Sequence, residues 1–199
     1  MPDGGHQELE LKAVVPDIIE VRRRLHAAQA TLIFEGEMQD RRFDRDGELS
    51  RADQVLRTRR MIAADGTVET ILGWKGPGKI SDDGYKQREE LEFTIEHGAD
   101  PRPLLTALGY RQVHAIDRRI EVFESHGASV RLERYPEMDI LVEIEGEPGQ
   151  IERAIAVTGI DRSRFLTDSL AQFVGRYERR TGSVARIAGS LTGEGIAAR

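Results

Sequence analysis

The sequence contains no cysteine. Disulfides, thiolate metal sites and a cysteine nucleophile are therefore excluded. It has no apolar run near the ~18 residues that a membrane-crossing helix needs. Met1–Gln7 lacks the basic-then-apolar pattern of an export signal, which predicts a cytoplasmic chain. Excess positive charge is also missing: 29 basic residues stand against 35 acidic ones, for a net charge of −6. This argues against nucleic acid or a membrane as the main partner and leaves room for a local basic pocket. Lysine is scarce, with only Lys12, Lys75, Lys79 and Lys86. The five histidines, His6, His26, His97, His114 and His126, are scattered without metal-ligand spacing.

The remainder is a soluble globular composition, 39% hydrophobic and 32% charged over 199 residues. A single domain is expected over 1–180, followed by a Gly-, Ala-, Ser- and Thr-rich flexible tail over 181–199. Alternation predicts a strand at Gln7–Val15, with Glu8, Glu10 and Lys12 on one face and Leu9, Leu11 and Ala13 on the other. A helical stripe follows to about Ala30, then strands at Leu32–Asp44, Val55–Met61 and Thr67–Lys75. Gly73–Gly84 reads as a mobile loop. The same order begins again at Tyr85: a strand, a short helix over Pro101–Leu108, and strands at Gln112–Glu124, Ala128–Arg134 and Ile140–Glu145. Glu8-x-Glu10 and Glu90-x-Glu92 mark this weak internal duplication. Two closing helices are expected at Gly149–Val157 and Arg164–Arg180, the second capped by Ser163. The apolar stripe on Phe165–Tyr177 suits packing on the same chain, with a homodimer as the alternative. Mixed elements with short turns predict an antiparallel α+β fold, and barrel closure would remove exposed sheet edges.

The polar faces of the strands carry the chemistry. Charges recur at spacing two in Glu8/Glu10/Lys12, Arg57/Arg59, Arg88/Glu90/Glu92, Arg131/Glu133 and Glu143/Glu145, so each set points to one side of its strand. Side-by-side carboxylates repel unless a cation lies between them. Glu8, Glu10, Glu143 and Glu145 suit a hard divalent ion, whereas arginine forks match phosphate oxygens in pairs. A metal bound together with a polyphosphate would satisfy both sets.

Glu8-Leu9-Glu10-Leu11-Lys12 resembles the opening E-x-E-x-K strand of the CYTH superfamily, the triphosphate tunnel metalloenzymes. Leu56-Arg57-Thr58-Arg59 resembles the L-R-x-R strand of that family, and Trp74-Lys75-Gly76-Pro77 its K-G-P segment. Arg88-Glu89-Glu90-Leu91-Glu92 is similar to its R-x-E-x-E strand, and Leu141-Val142-Glu143-Ile144-Glu145 to its closing V-E-I-E strand. The resemblance runs in order from about Gln7 to Leu170. It implies an eight-stranded antiparallel β-barrel with flanking helices and a tunnel that binds a triphosphate with Mg²⁺ or Mn²⁺. The matched positions make Glu8, Glu10, Glu143 and Glu145 the implied metal ligands. Lys12, Arg57, Arg59, Lys75, Arg88 and Arg118 would bind phosphate, Glu90 and Glu92 would support them, and Glu10, Lys12 and Glu133 would be the catalytic candidates. Two positions depart from the pattern. Ile120 stands where cyclase-like relatives carry an arginine, so Arg119 is expected to replace it through a bulge, and Glu133 stands where relatives often have aspartate.

The resemblance leaves two chemistries open, with a non-catalytic polyphosphate sensor as a third. The class IV adenylyl cyclase-like branch would turn ATP into cyclic AMP and pyrophosphate. A triphosphatase would hydrolyse tripolyphosphate, thiamine triphosphate or a nucleoside triphosphate. The layout leans slightly toward the cyclase-like branch.

Overall fold

A computed structural model describes residues 6–96 and 99–189. Its strands are β1 (His6–Val14), β2 (Thr31–Asp44), β3 (Val55–Ala63), β4 (Val68–Lys75), β5 (Lys79–Ile80), β6 (Lys86–Ile95), β7 (Arg111–Ser125), β8 (Ala128–Arg134) and β9 (Leu141–Glu145). Its helices are α1 (Ile18–Ala27), α2 (Glu48–Arg51), α3 (Arg102–Ala107), α4 (Pro148–Thr158) and α5 (Leu170–Thr181). Hydrogen bonds run β1-β9-β8-β7-β2-β3-β4-β6, and β6 returns to β1. The result is a closed antiparallel eight-stranded barrel, with β5 added along β6. Closure leaves no barrel strand with an unpaired edge.

The duplication seen in the sequence recurs in the topology. β1, α1 and β2–β4 form one half, and β6, α3 and β7–β9 form the other. Each half contributes a three-strand meander, and β1 and β6 join the meanders by pairing with each other, with β9 and with β4.

The strand alternation is resolved in an unusual direction: the apolar faces point outward and the charged faces inward. Leu11, Ala13, Val130, Leu132, Val142 and Ile144 pack outside the barrel wall against Val21 and Leu25 of α1 and Ile151, Ala154 and Ile155 of α4. This layer between wall and helices is the main core. Each of its larger side chains contributes about 1.5–3 kcal/mol by leaving water. The helices are also locally encoded. Asp17 caps α1 through Ile19 and Glu20, while Glu147/Gln150 and Ser169/Gln172 form capping boxes on α4 and α5.

The last helix differs from the expectation. Ser163 lies in a short 3-10 turn, Arg162–Arg164, and α5 starts at Leu170 under Ser169. The intervening chain is extended because Leu166 exchanges two backbone hydrogen bonds with Lys12 of β1. α5 lies across one end of the barrel, where Phe173 packs with Ile116, Tyr135 and Leu141 and with the partly buried Leu166 and Leu170. The apolar stripe thus meets its own barrel. Similarly, β4 continues to Lys75 and Lys79–Ile80 pairs with β6, so the expected loop over Gly73–Gly84 is structured at both of these points. After α5, Arg186 bridges to Glu137, Ile187 accepts from the Asp117 amide and Gly189 donates to the Asp117 carboxylate. That stretch is more ordered than the expected tail, and residues 190–199 lie outside the described residues.

Phe173→Ala removes a ring that is 3% exposed from the α5–barrel contact. It is expected to cost about 3–5 kcal/mol in urea denaturation.

Candidate functional site

The inward faces converge on a cavity of ≈ 240 Å³. Its lining includes Glu10 and Lys12 of β1, Asp40 and Arg42 of β2, Arg57 and Arg59 of β3, and Lys75 of β4. Lys86 and Arg88 of β6, Arg118 of β7, Arg131 and Glu133 of β8, Glu143 of β9, and Asp53 just before β3 complete the charged set. Spacing two places each pair on one face, and closure turns those faces toward one another. Gly73 keeps part of this space open: a Cβ there would lie 3.3 Å from Glu92 Oε1 and 3.5 Å from Arg57 Nε. Ser169, Leu170 and Ala171, from the start of α5, close one side.

One wall is acidic. Glu8, Glu10 and Glu143, all buried, each place a carboxylate oxygen within 4.8 Å of the others. Lys12 lies between Glu10, at 2.7 Å, and Glu143. Lys75 Nζ reaches Glu8 at 2.8 Å and also contacts Glu90, while Lys86 contacts Glu10. Burial opposes ionisation of Glu8 and Glu10, but the lysines outweigh it and hold both well below the usual carboxylate range. Lys75 shows the opposite effect: burial and the nearby Arg57 lower it to about 7. Glu145 is hydrogen-bonded to Glu8, and burial with the Glu8 charge raises it to about 8. That shift favours the protonated form of Glu145 beside the Glu8 carboxylate.

The opposite wall is rich in guanidinium groups. Asp40, 1% exposed, accepts from Arg59 Nε at 2.8 Å and from Arg118 Nη2 at 3.1 Å. Arg57 donates to Glu92 at 2.7 Å, and Arg88 to Asp53 at 2.8 Å. Between the walls, Glu133 accepts from Arg131 at 2.9 Å and from the Tyr135 hydroxyl at 2.5 Å, and its Oε1 lies 3.2 Å from Arg118 Nε. Arg131 also contacts Glu143, linking the two walls.

The lining thus gathers Glu10, Lys12, Arg57, Arg59, Lys75, Arg88, Arg118, Glu133 and Glu143, with Glu8 joining through the carboxylate trio. Glu90 and Glu92 hold Lys75 and Arg57. Arg119 does not join them. It is exposed, its ladder is regular against Arg134 and Glu37, and the inward place beside Glu133 belongs to the buried Ile120. The expected compensating bulge is absent at that point, and strand alternation sends Arg119 outward. Sequence reasoning missed Asp40, Arg42 and Lys86. The same spacing-two rule signals them, in Asp40-x-Arg42 and Lys86-x-Arg88-x-Glu90. It also missed Tyr135, which lies just beyond the end of β8.

No family model matches the sequence, and no curated protein does. Solved structures do match. The PH1819 protein from Pyrococcus horikoshii OT3 superposes with a TM-score of 0.67 at 23% identity, covering 85% of this chain and 98% of that one. A Vibrio parahaemolyticus protein provisionally assigned as an adenylate cyclase gives 0.70 at 15% identity, covering 86% and 99%. HpAC1 from Hippeastrum, provisionally assigned as an adenylyl cyclase and described as having a dominant triphosphatase activity, gives 0.58 at 17%, covering 92% and 100%. The chain shares with these proteins the architecture of its closed antiparallel eight-stranded barrel. At these identities the likeness is one of architecture. Among the described residues no helix is long and apolar enough to cross a membrane.

The donor chemistry of this cavity fits a hard divalent cation. Three carboxylates converge, and oxygen ligands are what Mg²⁺ and Mn²⁺ take.

Glu133 provides a test of the charge network. Burial alone would raise its pKa, but Arg118, Arg131 and Lys12 bring it down to about 2, against an ordinary 4.5. A lowered folded-state value means that its stabilisation is complete above about pH 4.5 and is lost as pH falls toward 2. Thermal midpoints measured between pH 6 and pH 2 should fall less steeply in Glu133→Gln than in wild type.

Proposed function

We propose that this chain is a metal-dependent triphosphate hydrolase whose substrate lies in the tunnel between the carboxylate and guanidinium walls. The observation that carries this reading is the lining itself. It is charged apart from Val55, Tyr135, Ser169, Leu170 and Ala171, and its ≈ 240 Å³ falls below the roughly 300–1,000 Å³ of pockets that enclose drug-sized ligands. That volume suits a triphosphate moiety better than a whole nucleotide. The neighbour with a dominant triphosphatase activity supports the same choice.

In this reading Glu8, Glu10 and Glu143 hold Mg²⁺ or Mn²⁺, which when bound neutralises phosphate charge. Glu145, beside Glu8, supports that carboxylate. Arg57, Arg59, Lys75, Arg88 and Arg118 bind phosphate oxygens and stabilise the charge that develops on them. Lys12 is held between Glu10 and Glu143. From there it binds a phosphate oxygen near the carboxylate wall. Glu10, kept ionised by Lys12 and Lys86, orients the attacking water, whose proton passes to a phosphate oxygen of the substrate. The water oxygen bonds to the terminal phosphorus, the bond to the bridging oxygen breaks, and orthophosphate and diphosphate separate. Glu133, held by Arg118, Arg131 and Tyr135, positions the arginines rather than taking the proton.

A cyclase reading draws on the neighbours provisionally assigned as adenylate cyclases. There the ATP 3′-hydroxyl would attack the α-phosphorus and release pyrophosphate. The products discriminate. With Mg²⁺ or Mn²⁺, tripolyphosphate, thiamine triphosphate and ATP should release orthophosphate, and tripolyphosphate should be the best substrate. Cyclic AMP with pyrophosphate would establish the cyclase instead, and binding without turnover would indicate a sensor. Chelation should abolish turnover. Lys12→Ala and Arg57→Ala should each weaken tripolyphosphate binding by about tenfold or more, as expected for a lost charge-assisted contact. Glu10→Gln should lower kcat by about 10²–10⁴-fold.

A further inference from the structure

Arg42 is the cavity residue whose surroundings are incomplete. It stands on the inward face of β2, opposite Arg57 in the β2–β3 ladder, where the β2–β7 register shifts between Arg42 and Phe43. The other cations lining the cavity each meet a carboxylate within ion-pair distance. Arg42 meets none among the described residues. The carboxylate that attracts it, Asp40, already accepts from Arg59 and Arg118. Its Nε is buried without an acceptor, as are Nε of Arg57 and Nε of Arg88. Burial, together with the charges of Arg57, Arg118 and Arg88, pushes the Arg42 guanidinium below its ordinary value despite the attraction of Asp40. An unpaired buried donor and a crowded cation both cost stability until an anion arrives.

The placement says which anion. β2 lies four strands round the barrel from β1, and β3 four from β9, so Arg42 faces the carboxylate wall across the tunnel. A ligand held through oxygens on the acidic side presents its opposite end to Arg42, Arg57 and Arg88. We propose that Arg42 is a specificity-determining residue that, beside the guanidinium groups of Arg57 and Arg88, seats an unesterified phosphate end-group. The tunnel then prefers inorganic tripolyphosphate to a nucleoside triphosphate, whose corresponding end is a neutral nucleoside. This inference rests on the triphosphate reading above.

The test compares wild type, Arg42→Gln and Arg42→Lys by calorimetric binding of tripolyphosphate and ATP and by thermal midpoints without ligand. Arg42→Gln should bind tripolyphosphate about tenfold more weakly, in keeping with one lost charge-assisted hydrogen bond, while ATP affinity changes much less. Arg42→Lys, which keeps the charge without the planar fork, should fall between them. Without ligand, Arg42→Gln should melt about 1–4 °C higher than wild type, because a half-buried cation crowded by other arginines has been removed. Unchanged tripolyphosphate affinity, an equal loss for both ligands, or a lower midpoint for Arg42→Gln would each overturn the inference and leave the triphosphate reading standing. Wild type that binds neither ligand would overturn both.

Discussion

Charge neutralisation in a closed space is the constraint on which the rest of this structure depends. A barrel interior excludes bulk water from much of each side chain, and an isolated buried charge is too costly to persist. The tunnel meets this by interleaving. Carboxylates on β1 and β9 take lysines from β1, β4 and β6, and guanidinium groups on β3 and β7 take Asp40 from β2. These pairs do little for stability compared with an apolar filling of the same volume. What they provide is a polar site already assembled before a ligand arrives, so binding needs little reorganisation of its charges.

Stability comes from the other face of the same strands. Because Leu11, Val130, Val142 and Ile144 point outward, the helices α1 and α4 must lie outside to cover them. Fold and site are thus two consequences of one alternation: the face that meets helices holds the barrel together, and the face that meets the axis is left for chemistry. α5 joins the two roles. Phe173 and Leu170 pack into the small apolar cluster at the barrel end, while Ser169, Leu170 and Ala171 form part of the cavity lining.

The topology is duplicated and the chemistry is not. β1 and β6 occupy equivalent places, yet β1 contributes carboxylates to the metal-suited trio while β6 contributes the cations Lys86 and Arg88 to the lining. A repeated scaffold has acquired one acidic and one basic wall. This polarity suits a ligand held as both a metal complex and a polyanion.

Much of the arrangement was legible in the order of residues. Period-two alternation located the eight barrel strands within a few residues, and the acid and base motifs named most of the cavity lining, because a strand places every second side chain on one side whatever surrounds it. Alternation could not say which side is the interior, since an isolated strand has none. It also could not rank Arg118 against Arg119, because only the register with β2 and β8 turns one inward and the other out. Pairs such as Lys75 with Glu8, Arg59 with Asp40 and Glu145 with Glu8 join segments far apart in the chain. The same closure left Arg42 without an ion-pair partner among the described residues and set Glu145 against Glu8. The sequence by itself determined which charges travel together on a face. The tertiary structure decided which of them meet, because meeting depends on barrel closure and on the strand registers that closure imposes.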